Sequence, residues 1–451
     1  MSEDITLDKF TEATASQERQ ETPIGELPVD WDVEWLKDAV GINPDGFSED
    51  DWSSETFEYI SLSEASNGEI ENSKTIPITD APSRAQRTVQ QGDVLVGTVR
   101  PKQKSHGFVS EEHAGKICSS GFGVLRTETH FNSRYLLQEI LSNRFFSQME
   151  AYVAGSGYPA VKISDLKKHR ISIPPLVEQR KIATVLHTID QAIQKTEEII
   201  QGLQTARKGL TQQLLRSGFE DEANLVSTRS GPISFEIPSH WNVVTIDNIT
   251  DNIYRYPTYQ NIDYVDEGVP EVRIGMLDGE GYIERGDEKY ISESTSEEYP
   301  RTQLEHGDTV MAVRGATLGK TASVPEWLDG GNINPNLIRI CSNDEVLDRY
   351  LTELFLSGLV QRQIEAFSQQ TTVKTIKSGD IRRIAAPIPP VTEQERIMDI
   401  LSSFSSRIQN DDSYLSRLQR LKSGLMQDLL SGKVRTTNTN IEIPEEVITY
   451  G

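Results

Sequence analysis

Twice along this chain, after a Pro-Pro pair, apolar residues recur at alternating intervals of three and four. The first series is Ile182, Leu186, Ile189, Ile193, Ile200, Leu203, Leu210, Leu214; the second is Ile397, Leu401, Phe404, Ile408, Leu415, Leu418, Leu425, Leu429. Such spacing marks the a and d positions of a heptad stripe along one helix face. Polar residues break both stripes at equivalent places, Thr196 and Asp411, then Arg207 and Lys422. Each helix should run about 40 residues, roughly 60 Å, and the charges in every turn keep it from crossing a membrane. Ahead of each stripe the pattern shortens. Gly92–Val99, Gly121–Leu125, Thr309–Val313 and Asn336–Ile340 read as strands, with one helix in each half, Ser133–Val153 and Glu345–Phe367.

The two stripes belong to a long internal repeat. Tyr135, Leu136, Leu141, Ser142 and Gln148 recur 215 residues later as Tyr350, Leu351, Leu356, Ser357 and Gln363. The match continues through Lys162/Lys377, Asp165/Asp380, Ile173-Pro174-Pro175/Ile388-Pro389-Pro390 and Glu178-Gln179/Glu393-Gln394. Earlier, Leu27-Pro28-x-x-Trp31 parallels Ile237-Pro238-x-x-Trp241, and Gly92-Asp93 parallels Gly307-Asp308, with slips between them. A repeat of this size dictates a pseudo-twofold molecule. The helices should lie antiparallel as a rod, with Ile182, Leu186, Ile189, Ile193, Leu203, Leu210, Leu214, Ile397, Leu401, Phe404, Ile408, Leu418, Leu425 and Leu429 at their interface.

The fold class is α/β: two tandem α/β domains separated by two long antiparallel coiled-coil helices. The expected boundaries are an acidic disordered tail over 1–20, a first domain over 21–173 and a long helix over 174–217. A linker over 218–231, a second domain over 232–388, a second long helix over 389–434 and a C-terminal tail over 435–451 follow. The fronts of the domains diverge while the backs match.

Composition changes the picture in one respect. The net charge is −24, with Arg outnumbering Lys 27 to 18, an acidic balance opposite to that of most nucleic-acid binders. It is unevenly spread: residues 162–218 and 374–435 together carry +9, leaving −33 elsewhere. An acidic excess with few lysines is the surface of a halophilic protein, and molar salt screens exposed charge within about 3 Å. No signal peptide or membrane span is legible, which points to a cytoplasmic location.

The inventory of reactive motifs is short. Cys118 and Cys341 have no CxxC partner, the seven histidines show no HExxH spacing, and GxGxxG and Gly-x-Ser-x-Gly are missing. Gly315-Ala316-Thr317-Leu318-Gly319-Lys320-Thr321 imitates a phosphate loop but has three residues between its glycines where that loop has four. It reads instead as a turn that aims Arg314 and Lys320. The chain is therefore expected to be non-catalytic and to hold no metal or cofactor. Basic and aromatic residues lie near strand ends or loops: Arg84, Arg87, Arg100, Lys102, Lys104, Arg314, Lys320, Lys374 and Lys377, with Phe108, Tyr158, Tyr254, Tyr256 and Tyr259.

From Leu27 to Leu430 the chain resembles the specificity (S) subunit of type I restriction–modification enzymes, on the doubled Ile-Pro-Pro-Leu/Val-x-Glu-Gln followed by a heptad helix. The resemblance implies two target-recognition domains, each reading one half of a bipartite, asymmetric site on double-stranded DNA. It implies as partners two methyltransferase subunits, carrying S-adenosylmethionine, and motor–nuclease subunits, using ATP and Mg. The candidates for the DNA face are then Arg84, Arg87, Arg100, Lys102, Lys104, Tyr158, Lys162, Arg255, Tyr256, Tyr259, Arg314, Thr317, Lys320, Lys374 and Lys377. The competing readings are a tandem-repeat scaffold, which gives no reason for divergent fronts, and a fused methyltransferase or nuclease, which lacks its motif.

Overall fold

The computed structural model describes residues 18–48, 52–153, 159–221, 224–230, 233–256, 263–368 and 374–449. Two units divide the chain, one of residues 1–197 with 413–451 and one of residues 198–412. Each unit therefore holds one α/β domain, the first half of the long helix that follows it, and the second half of the other long helix.

In the first unit the strand Asp32–Trp35 pairs antiparallel with Arg170–Ile173, tying the start of the domain to its end. Between them lies an antiparallel sheet in the order His106–Phe108, Val94–Gly97, Phe122–Arg126, Gly41–Ile42. A second sheet, in the order Lys74–Pro77, Thr56–Ile60, Ile117–Ser119, Ala85–Thr88, contains one parallel pairing, Tyr59 with Ile117 and Ile60 with Cys118. The second unit follows the same plan. Asn242–Thr245 closes on Ala385–Ile388, and the first sheet runs Thr250–Tyr254, Leu337–Ser342, Thr309–Ala312, Thr321–Ser323. The second sheet again carries a parallel pairing, Glu271 with Asn332 and Val272 with Ile333. The continuous apolar runs Val94-Leu95-Val96 and Val310-Met311-Ala312 are central strands buried on both faces, which is why they show no alternation.

Several boundaries move. Each domain helix is broken in two, into Ser133–Leu141 and Asn143–Ala151, and into Asp348–Leu356 and Gly358–Phe367. The break falls at Ser142 and Ser357, whose extended backbone ends one helix and whose hydroxyl caps the next by accepting from Phe145 N–H and Val360 N–H. The expected N-terminal tail falls outside the described residues over 1–17, but Arg19–Thr22 is already a strand, paired with Gly25–Pro28. The expected linker likewise contains Leu225–Ser230, paired with Ile233–Pro238. These two hairpins are equivalent, so the repeat begins earlier than its sequence identities show.

The long helices are Leu176–Ser217 and Val391–Leu430. Every stripe residue is buried or half-buried, and Ile182, Leu186, Leu214, Ile397, Leu401 and Leu429 are fully so. Within the first unit Asp190 pairs with Lys422, and Glu178 with Arg435 just past the second helix. Within the second, Arg207 donates to Ser405, and Gly218 just past the first helix packs on Glu393. In both units one number falls as the other rises, so the helix segments run antiparallel.

The second polar break of each stripe is tied to a domain helix, Arg207 directly and Lys422 through Asp190. Lys422 and Gln138 converge on Asp190 in the first unit, at 2.6 and 2.9 Å. In the second unit Arg207 reaches both Glu353 and Ser405. These triads occupy repeat-equivalent positions, but the acid sits on the long helix in one and on the domain helix in the other.

Candidate nucleic-acid interface

The repeated Glu-Gln of the Pro-Pro motif frames both domains. Gln179 accepts from Asn132 N–H at 2.8 Å and donates to the Pro174 carbonyl. Gln394 accepts from Leu347 N–H at 2.9 Å and donates to Glu345 and Pro389. Glu178 accepts from the indole N–H of Trp31, and Glu393 from that of Trp241. Each long helix thereby fixes the first strand and the domain helix of its own domain, so the motif is structural. On that frame the basic strand ends are held in place.

In the first domain the central strand leaves the sheet at Thr98, which accepts from Val161 N–H, while Arg100 N–H donates to the Pro159 carbonyl. Val99 and Ala160 form a β-bridge. This crossing brings Arg100 beside the segment that ends in Lys162, the exposed residue preceding the short helix Ile163–Leu166. Arg100 and Lys104 both adopt left-handed backbone (φ 48° and 47°) around the turn Pro101–Gln103, a costly conformation for residues with a Cβ that gathers at functional sites. Arg84 and Arg100 line a cavity of about 380 Å³ with Tyr59, Ser61, Ser63 and Gln103.

The second domain repeats the crossing. Val313 accepts from Ile376 N–H, Gly315 N–H donates to the Lys374 carbonyl, and Arg314 bridges Thr375. Lys377 precedes the helix Ser378–Arg382 as Lys162 does its counterpart. Arg255 joins this end through a bond to the Pro335 carbonyl at 3.3 Å. Burial lowers the pKa of Arg255, and the neighbouring charge of Arg314 lowers it further. Two guanidinium groups held close together favour an anion between them.

The remaining candidates scatter. Arg87 is half-buried and donates to the Ser120 carbonyl at 3.0 Å. Lys102 pairs with Glu150 at 3.8 Å, and Lys104 lies over the Phe146 ring and lines a separate cavity. Thr317 is exposed and bonds the Arg314 carbonyl, and Lys320 is half-buried at the start of the hairpin return. Lys374 pairs with Glu365 at 3.0 Å. Tyr256 requires a correction: it is buried in the core of the second domain, its hydroxyl on Asn332 and its pKa pushed up to about 12 by burial, so its ring offers no face for stacking. Tyr158 and Tyr259 lie outside the described residues. Tyr59, Ser61, Ser63 and Gln103 show no signal in the sequence, because only the fold brings their two stretches to Arg84 and Arg100 around one cavity.

The family model for the type I restriction modification DNA specificity domain matches twice, over residues 28–205 and 238–416. The chain belongs to the type I restriction–modification specificity family. It is 25% identical over 439 residues to the putative type I restriction enzyme MjaX specificity subunit of Methanocaldococcus jannaschii, covering 92% of this chain and 96% of that one. It is 22% identical over 406 residues to the EcoKI specificity subunit of Escherichia coli K12, covering 86% and 85%. Among solved structures, a chain from a study of assembly and conformational transition in the type I R-M system aligns with a TM-score of 0.55 at 22% identity, covering 90% of this chain and 99% of that one. The type I restriction-modification system S subunit from M. genitalium aligns at 0.51 and 14% identity, covering 88% of this chain and 96% of that one. The two matched spans are the two specificity domains, each ending in its long helix. In both, the invariant Trp, Glu and Gln of this chain form the frame and the divergent fronts carry the arginines.

Proposed function

We propose that this chain is the DNA sequence-recognition subunit of a type I restriction–modification complex, reading a bipartite and asymmetric site with one half-site per domain. The observation that carries the reading is the duplicated crossing, Arg100 with Lys162 and Arg314 with Lys377, set on one frame beneath fronts of different sequence. Phosphate contacts from such strand-end cations set register, while base edges are read by the neighbouring polar side chains. Arg84 and Gln103 supply these in the first domain and Arg255 supplies one in the second. The chain itself is non-catalytic and cytoplasmic. It holds two methyltransferase subunits, which carry S-adenosylmethionine, and motor–nuclease subunits, which use ATP and Mg.

Exchange of one front for that of a relative tests this directly. Replacing residues 20–160 should change only one half of the methylated motif found by methylation-aware sequencing, and replacing 232–372 only the other. A swap that alters both halves or neither overturns the reading.

A further inference from the structure

The parallel strand pairing aligns the two fronts residue by residue where sequence alignment fails. Tyr59 faces Ile117 in the first domain, and Glu271 faces Asn332 in the second, 215 residues on from Ile117. Two residues later the same offset relates Ser119 to Asn334. Tyr59 and Ser119 line the cavity that holds Arg84 and Arg100, so Glu271 and Asn334 mark the corresponding place in the second domain. One position is built from donors and the other around a carboxylate.

Glu271 is an unusual carboxylate. It is 0% exposed, and its Oε2 accepts from the Tyr264 hydroxyl at 2.8 Å and from Asn334 Nδ2 at 3.2 Å. Its Oε1 is buried with no hydrogen-bond partner among the described residues. A buried acceptor left in this state is costly, and it leaves an open place for a donor from outside the chain. Burial raises the pKa of Glu271, offset in part by Tyr264 and Asn334. The cover is light. Tyr264 is 45% exposed and belongs to a two-residue edge strand, so its hydroxyl can give way to an incoming N–H donor without unpacking a core. Asn334 also receives Asn336 Nδ2 at 2.9 Å, and the intervening Pro335 carbonyl holds Arg255. The carboxylate is thus tied to the basic strand end that carries Arg314.

We propose that Glu271 reads one base of the second half-site by accepting a hydrogen bond from an exocyclic amino group, at the position where the first domain places Tyr59 beside Arg84 and Arg100. A carboxylate selects for the amino group of cytosine or adenine, whereas arginine selects for the O6 and N7 of guanine. The proposal rests on the DNA-reading function above and adds the chemistry of one position in it.

The test compares the wild-type chain with Glu271→Gln and Glu271→Asp, each assembled with methyltransferase subunits, by methylation-aware sequencing of a randomised DNA library alongside thermal unfolding. The wild type should show at least one second-half position fixed to a single base pair. Both variants should relax that position, with discrimination falling on the order of tenfold, while every other position is retained. E271Q should unfold at an equal or higher temperature, since it removes a buried charge. An unchanged motif in an active complex, or uniform weakening at all positions with a lowered melting temperature, overturns the role of Glu271 and leaves DNA reading intact. A wild type with no bipartite motif overturns both. If E271Q fails to fold, the E271D result decides by the same criteria.

Discussion

The indole nitrogen of Trp31 donates to Glu178 at 3.0 Å, and Trp241 donates to Glu393 at the same distance. Each pair joins the first turn of a long helix to the opening of its domain, and each is covered by the glycine that ends the other long helix. Gly432 lies against Trp31 and Gly218 against Trp241, both with left-handed backbone (φ 62° and 57°). A Cβ at either place would strain the backbone and collide, at Gly432 with the Pro28 ring and at Gly218 with the Glu393 carboxylate and the Trp241 indole. Gly218→Ala and Gly432→Ala should each cost at least about 1 kcal/mol, read as a loss in urea midpoint for the unit concerned.

The first pair carries an extra load. Glu178 also holds Arg435, which is 5% exposed and bonded to Asp30 as well. Far from being a free tail, the C-terminal segment is fastened here and at Val447, whose carbonyl accepts from Asn132. Glu178→Ala should therefore destabilise by about 2–3 kcal/mol, because it leaves the buried guanidinium with Asp30 alone and the Trp31 N–H without an acceptor, whereas Trp31→Phe should cost about 1–2 kcal/mol for one buried bond. Equilibrium unfolding of the two variants ranks them; equal losses would show that Arg435 is indifferent to Glu178.

The swapped triads give unequal costs. Burial raises the pKa of Glu353, and Arg207 opposes that rise. Removing Arg207 leaves the acid buried alone, so Arg207→Ala should lose about 3–5 kcal/mol at neutral pH. A carboxyl with a raised folded pKa favours the folded state in acid and loses that contribution as pH rises, so the defect should shrink toward pH 4. Adding Glu353→Gln should rescue it. Lys422→Ala should cost less, about 1–2 kcal/mol, since Asp190 is partly solvated and keeps its bond to Gln138.

His106 sets an acid limit on the first unit. It is 2% exposed, accepts from Gly97 N–H through Nδ1, and is pushed down to about 4 by burial, with Lys104 adding to the effect. Its folded pKa lies below the unfolded 6.5, so it contributes stability above pH 6.5 that is lost as pH falls toward 4. The loss should be on the order of 3 kcal/mol, and His106→Gln should flatten the urea midpoint over that window.

Salt should separate this protein from basic DNA binders. Phosphate neutralisation makes affinity fall with salt, while the acidic surface behind the net charge of −24 repels DNA most in dilute buffer. Binding by the assembled complex should survive near molar KCl. A steep monotonic loss between 0.1 and 2 M would show that the acidic surface has no part in it.

The sequence by itself determined the duplication, the two long helices and the framing motifs. Heptad spacing and a fixed 215-residue offset are one-dimensional signals, and the Pro-Pro-x-x-Glu-Gln motif keeps its residues because both copies satisfy the same buried hydrogen bonds. The break of each domain helix was within reach too, for Ser142 and Ser357 are part of the repeat and serine favours a helix start over a helix interior. Only the tertiary structure decided that Arg435 and Val447 fasten the C-terminal segment, that Leu225–Ser230 is a strand and that Tyr256 is core. The first and last depend on partners far away in sequence, Glu178 for Arg435 and Asn332 for Tyr256, and no local period records such a contact. The equivalence of Tyr59 and Glu271 belongs to the same class. Side chains in the fronts diverged while the backbone pairing stayed, so the correspondence survives in hydrogen-bond register alone.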